Sequence, residues 1–281
     1  MLWGYFKKVV VADQCARQVN AIFQDYNDLA TPVLALGTIF FAFQIYCDFS
    51  GYSDIARGVA RLFGFELMVN FRTPYFARSI AEFWRRWHIS LTTWFRDYVY
   101  IPLGGSKGGL RRSIINTFIV FLLSGIWHGA NWTFFWWGLI NAIFFIPLLL
   151  SRTNRSYLDE VASGRVIPNA REIIQMIATF AMVCFTWIFF RAENMTHAVD
   201  FLMAMIRNIS IPVDQEYFDK TTLLVIGIML FFDWLSRETG FDGYVFSFSN
   251  PWKRRLIYLV IFMGIFFFGV FNKDSFIYFQ F

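Results

Sequence analysis

Residues 79–131 run SIAEFWRRWHISLTTWFRDYVY (79–100), IPLGGSKGG (101–109) and LRRSIINTFIVFLLSGIWHGAN (110–131). The first part opens on Ser79 and Glu82 at capping-box spacing. Ile80, Phe83, Trp84, Trp87, Leu91, Trp94 and Phe95 then fall on one stripe at helical spacing, with Arg85, Arg86 and Arg96 away from it. That pattern predicts an amphipathic helix lying on or dipping into a membrane. The second part is a Pro-Gly loop carrying Lys107, readable as a flexible connection or an anion-binding turn. The third part is an apolar span from Ser113 to Trp127 that delivers His128 about 22 Å along a helix axis. Two of the chain's three histidines, His88 and His128, therefore lie in this stretch, one of them at membrane depth.

The rest of the chain agrees with a membrane setting. Its 281 residues are 57% hydrophobic and 21% aromatic, and the apolar residues come in long runs, which excludes an ordinary soluble domain. The net charge of +5 resides largely in loops between those runs. The positive-inside rule accounts for it, and nucleic acid is not expected as a partner. Six spans are expected: Pro32–Phe49, Ser113–Trp127, Trp132–Leu150, Glu172–Arg191, Leu223–Leu235 and Leu256–Phe271. Loop charge puts the 51–112 and 151–171 segments and the Lys253–Arg255 cluster inside, and the acidic 192–220 loop outside. The fold expected is an all-α, polytopic transmembrane bundle with amphipathic or re-entrant helices, forming one embedded domain over 1–281. Such a bundle is expected to lie in a membrane, among lipids.

Several segments leave two readings open. Residues 1–28 mix Trp3, Lys7, Lys8, Asp13 and Arg17 with short apolar runs, which suits an interfacial helix; they lack the features of a signal peptide. The polar YCDFSGYSD (46–54) reads as a helix exit, with a bend at Gly51 and a Ser-capped short helix through about Phe63, or as a substrate contact through Asp48. Cys15, Cys47 and Cys184 form no CxxC pair and read as packing residues.

No HExxH, Walker, Rossmann or GxSxG pattern is present, so metal, nucleotide and triad-hydrolase chemistry lack sequence support. What remains is His128, flanked by Gly125 and Gly129, among Trp127, Trp132, Trp136 and Trp137, with Asn131 nearby. A polar side chain at membrane depth must face protein or a water-filled cavity and is a functional candidate. A neutral imidazole there can act as general base toward a hydroxyl attacking an acyl carbonyl. It can equally hold a tight helical hairpin through a carbonyl hydrogen bond. His88 is open to the same division between interfacial packing and chemistry.

YCDFSGYSDIARG, NFRTPYF, EFWRRWHISLTTWFRDYVYIPLGG, LSGIWHGANWTFFWWG and the terminal FIYFQF, in that order, resemble the membrane-bound O-acyltransferases. The resemblance is to the bacterial branch typified by alginate O-acetyltransferase, with the teichoic acid D-alanyl transferases as cousins. It implies that His128 occupies the position of the family's catalytic histidine and His88 that of its second functional histidine. It also implies acyl transfer from a cytoplasmic donor, acetyl-CoA or another acyl donor acting as co-substrate, with no tightly bound cofactor and no metal. The acceptor expected is an alginate-like secreted or cell-surface polysaccharide, reached directly or through periplasmic acyl-transfer partner proteins. Trp127, Asn131, Asp48, Arg85, Arg86 and Lys107 are candidate substrate-binding residues. WGYFKKVVVAD (3–13) resembles the middle of such proteins, so the family's N-terminal helices are expected to be absent here. Two other readings stand beside this one: a polysaccharide or lipid transporter using Asp48, Asp233 and His128 as pathway residues, and a truncated, inactive scaffold.

Overall fold

The computed structural model describes residues 1–240, 244–245 and 248–271, so the expected terminal motif FIYFQF lies outside the described residues. In chain order the main elements are α1 (2–24), α2 (Thr31–Leu62), α3 (Ile80–Arg86), α4 (Ile89–Phe95), α5 (Gly109–His128), α6 (Trp132–Leu150), α7 (Ala170–Arg191), α8 (Met195–Arg207), α9 (Lys220–Leu235) and α10 (Pro251–Phe268). No strand occurs among the described residues. These residues cluster into two compact units, 1–68 with 200–271 and 69–199.

Four helices, α2, α5, α6 and α7, are long and apolar enough to cross a membrane, against six spans expected from sequence. Both remaining candidates form helices. However, α9 has only 16 residues, rising about 24 Å, and buries Asp233 near its end. In α10 the charges of Lys253, Arg254 and Arg255 lie inside the helix, which ends at Phe268 rather than Phe271.

In the first unit, α2 does not exit at Phe49. It continues for 32 residues to Leu62, straight through YCDFSGYSD. Of the polar residues that signalled an exit, Asp48, Ser50 and Ser53 are buried, and the two aspartates pair with lysines of α1. Lys8 Nζ lies 2.5 Å from Asp48 and 2.8 Å from Asp13, and Lys7 Nζ lies 2.6 Å from Asp54. Gly51 makes no bend; a Cβ there would meet the Gly4 carbonyl oxygen at 2.7 Å, so glycine serves close helix packing. Accordingly α1, interrupted by a π-type segment at Phe6–Ala12, is not interfacial, because it buries Trp3, Phe6, Val10, Val11, Val19, Ile22 and Phe23. Tyr46 donates a 2.7 Å hydrogen bond to Asp233 in α9, closing the same unit. The three cysteines are free and buried.

In the second unit, α5 and α6 form a close hairpin. A Cβ at Gly125 would stand 2.3 Å from the Phe134 carbonyl oxygen, and one at Gly138 would stand 2.4 Å from that of Phe121. Small residues let two backbones approach in this way, an arrangement that suits helices in lipid. Asn131 starts α6 by accepting from the Thr133 amide at 3.1 Å, and Asn169 with Glu172 forms a complete capping box on α7.

The expected single amphipathic helix over 79–95 is two short ones. Ser79 caps α3 as its spacing predicts, accepting from the Glu82 amide at 3.2 Å. The chain then breaks at His88, whose φ of 43° is left-handed, and resumes as α4. Asn70 secures the restart, since its carbonyl accepts from the Ile89 amide at 3.0 Å and its side-chain oxygen from the Ser90 amide at 3.1 Å. A periodic stripe survives one such break, which is why spacing alone reads it as continuous.

Candidate active site

Within the second unit, α3, α4, α5 and α6 line a partly open cavity of about 80 Å³. Its walls include Trp84, Trp87, His88, Phe121, His128 and Trp137, with hydroxyls from Thr92 and Ser124. The two histidines that sequence singled out therefore line one space, although they come from different helices. His128 is the last residue of α5, and His88 stands at the break between α3 and α4.

Aromatic rings hold both imidazoles. Around His128 stand Trp127 at 5.0 Å between ring centres, Trp137 at 5.3 Å, Phe190 at 5.0 Å and Phe134 at 6.2 Å. The expected ring of four tryptophans is thus half right: Trp132 and Trp136 are exposed, and Phe134 and Phe190 take part instead. In the cavity wall, Trp84 packs edge to face on both Phe121 and Trp137, each at 5.6 Å. Trp87 is wedged between Phe83 at 5.5 Å and Trp187 at 5.2 Å. The His88 Nδ1 lies 3.4 Å from Ser90 Oγ, and Phe71 stacks on its ring at 6.5 Å. Burial holds the His88 imidazole down to about 4, so the ring is neutral near pH 7.

The other candidates are placed differently. Arg85 donates to the backbone carbonyls of Asn154 at 2.7 Å and Tyr157 at 2.6 Å. Arg86 is buried, bonded to Glu82 at 2.7 Å and to Glu160. Arg78 completes this network, with Glu82 at 3.0 Å, Asp159 at 3.1 Å and the Tyr157 ring at 4.5 Å. These guanidinium groups bind the 151–169 connection to α3; they do not present open cations to a substrate. Asp48 belongs to the first unit and its Lys8 pair. Asn131 is occupied at the α5–α6 turn, where its Nδ2 donates to the Glu193 carbonyl at 2.8 Å. Trp127 is half exposed beside His128, and Lys107 is exposed in the loop after Tyr100. Phe190 escaped sequence reading because it lies in an apolar span with no pattern marking its face. Phe121 and Ser124 lie one or two helical turns before His128 on α5, a signal that spacing could have supplied.

The cavity thus combines a proton acceptor with buried aromatic walls, inside a helical unit suited to lipid. Comparison with known proteins points the same way. Residues 29–192 match the model of the membrane-bound O-acyltransferase family. The chain is 40% identical over 192 residues to "Probable alginate O-acetylase AlgI" of Pseudomonas aeruginosa, covering 68% of this chain and 35% of that protein. It is 38% identical over 205 residues to the peptidoglycan O-acetyltransferase of Helicobacter pylori, covering 72% and 37%. It is 30% identical over 167 residues to the teichoic acid D-alanyltransferase of Bacillus subtilis, covering 56% and 40%. The match spans little more than a third of the length of these relatives. With a family match that includes both histidines of the cavity and four apolar helices, this chain is a membrane protein and belongs to the membrane-bound O-acyltransferase family.

Proposed function

We propose that this chain forms the reaction centre of an O-acyltransferase that moves acetyl groups from an activated cytoplasmic donor, such as acetyl-CoA, to hydroxyls of a secreted or cell-surface polysaccharide. The observation that carries this reading is the convergence of His88 and His128 on one aromatic-walled cavity. His128 serves as general base. Its neutral imidazole takes the proton of the acceptor hydroxyl as that oxygen attacks the acyl carbon. The new C–O bond forms, the thioester C–S bond breaks, and the proton passes on to the departing thiolate. His88, kept neutral by burial, orients the donor or acceptor by a hydrogen bond.

The relatives named above act on alginate, peptidoglycan and teichoic acid, so a surface polymer is the acceptor class that suits this chain. Loop charge favours a multi-pass protein of the bacterial inner membrane, with the basic 96–112 segment facing the donor side. Transfer to the polymer is direct or relayed by a periplasmic partner protein. The test is incorporation of labelled acetyl from acetyl-CoA into polymer by membranes carrying this chain or its His128→Ala variant. Loss of about 100-fold or more is expected from removal of a general base. Undiminished transfer by the variant would overturn the assignment.

A further inference from the structure

We infer that Asn70 is a positioning residue for His88: it caps helix α4 from outside, so that the residue at the helix start presents its imidazole to the cavity instead of capping. The inference rests on the reading of His88 as a residue that orients a reactant, and it names what holds that residue in place. The first amides of a helix have no partner within it, and the residue before the helix normally answers one of them with its own side chain. At α4 that residue is His88, and its side chain makes no capping hydrogen bond. Asn70 answers instead, and does so twice. Its backbone carbonyl accepts from the Ile89 amide at 3.0 Å, and its Oδ1 accepts from the Ser90 amide at 3.1 Å. The imidazole is thereby released from capping and lines the cavity with His128.

The neighbours of Asn70 complete a clamp around the break. On the other side of His88, the Arg72 amide donates to the Arg86 carbonyl at 3.0 Å, and Arg86 Nη1 donates to the Arg72 carbonyl at 3.4 Å. Residues 70–72 therefore bond to the chain both before and after His88. Between those bonds, Phe71 stacks on the His88 ring at 6.5 Å and meets Trp87 edge to face at 5.0 Å. Asn70 also reaches the ring through Ser90, because the amide it holds belongs to the residue whose Oγ lies 3.4 Å from His88 Nδ1. A left-handed residue other than glycine persists only where its surroundings over-determine it, and here they fix backbone and ring together. The role needs a side-chain acceptor at position 70, which aspartate shares with asparagine and leucine lacks.

Asn70→Leu keeps the branched shape of the side chain and removes the acceptor, whereas Asn70→Asp keeps the acceptor. Labelled-acetyl transfer should fall by about 100-fold in Asn70→Leu, the loss typical of a misplacement near 1 Å, and should stay close to the parent's in Asn70→Asp. In a His88→Ala background, Asn70→Leu should cost no further transfer, because both changes remove the same contribution. Hydrogen exchange supplies a measurement that needs no turnover. In the detergent-solubilised protein, the amides of residues 88–92 should exchange about fivefold faster in Asn70→Leu, the factor of a lost N-cap. They should return to the parent's rate in Asn70→Asp, with those of α5 unchanged throughout. Unchanged exchange in Asn70→Leu, acceleration that spreads over α5, or a transfer loss that multiplies with that of His88→Ala would each overturn the inference. Failure of the functional reading appears separately, as parental transfer by His88→Ala alone.

Discussion

Gly125→Ala tests the helical hairpin that delivers His128. An added Cβ would meet the Phe134 carbonyl oxygen at 2.3 Å, whereas ordinary contact begins at 3.4 Å. The backbones of α5 and α6 must therefore part locally by about 1.1 Å. Overpacking of this kind costs about 1–3 kcal/mol. Alanine recovers up to about 1 kcal/mol of helix propensity, leaving a net loss of about 0–2 kcal/mol. His128 follows Gly125 by less than one turn on the same helix, so it moves with the displaced backbone. A displacement near 1 Å at a reacting group costs about 100-fold in rate. Gly227→Ala is the control: that glycine lies inside α9, and a Cβ there has nothing within 4 Å. Thermal unfolding of the detergent-solubilised protein, followed by tryptophan fluorescence, and labelled-acetyl transfer in membranes should both separate the two variants. Equal midpoints and equal rates for Gly125→Ala and Gly227→Ala would refute the argument that close backbone approach positions the histidine.

Two further changes probe the buried charges. Glu82→Ala leaves Arg78 and Arg86 facing each other without their shared carboxylate, and stability should fall by about 3–5 kcal/mol. Limited proteolysis should then cut the 151–169 connection first, and a cleavage pattern identical to the parent's would count against this role. Lys8→Ala strips Asp48, 1% exposed, of its cation and should destabilise by a similar ~3–5 kcal/mol. The double variant Lys8→Ala/Asp48→Ala should recover part of that loss in thermal unfolding, whereas additive losses would show that the two residues act independently.

Sequence made the local decisions legible and left the distant ones hidden. Helices α6 and α7 announce themselves because an Asn cap precedes each apolar run, and every signal needed lies within a few residues. The passage of α2 through YCDFSGYSD could not be read locally. Asp48 and Asp54 are tolerable inside a helix bundle only because Lys8 and Lys7 come from α1, some forty residues earlier. Likewise, Arg85 and Arg86 look like free cations until their partners, between residues 154 and 160, are placed beside them. For the site, the scarcity of histidine and the membrane depth of His128 drew attention to the 79–131 stretch, and the family resemblance, rather than spacing, raised His88 above interfacial packing. The part that Asn70 plays was not legible, because the amides it holds lie about twenty positions further along the chain.

The left-handed backbone at His88 is a point of local frustration. At φ 43° the Cβ of an ordinary residue crowds its own chain, a cost of about 1–2 kcal/mol that glycine escapes and asparagine tolerates better than most. Selection for folding alone would favour either of them at this hinge, yet the chain retains an imidazole. His88→Gly and His88→Asn should therefore unfold no earlier than the parent while losing acyl transfer. Earlier unfolding of both would show instead that the ring is kept for its stacking on Phe71. Improved folding joined to lost transfer would mark His88 as a residue that the fold resists and the chemistry demands.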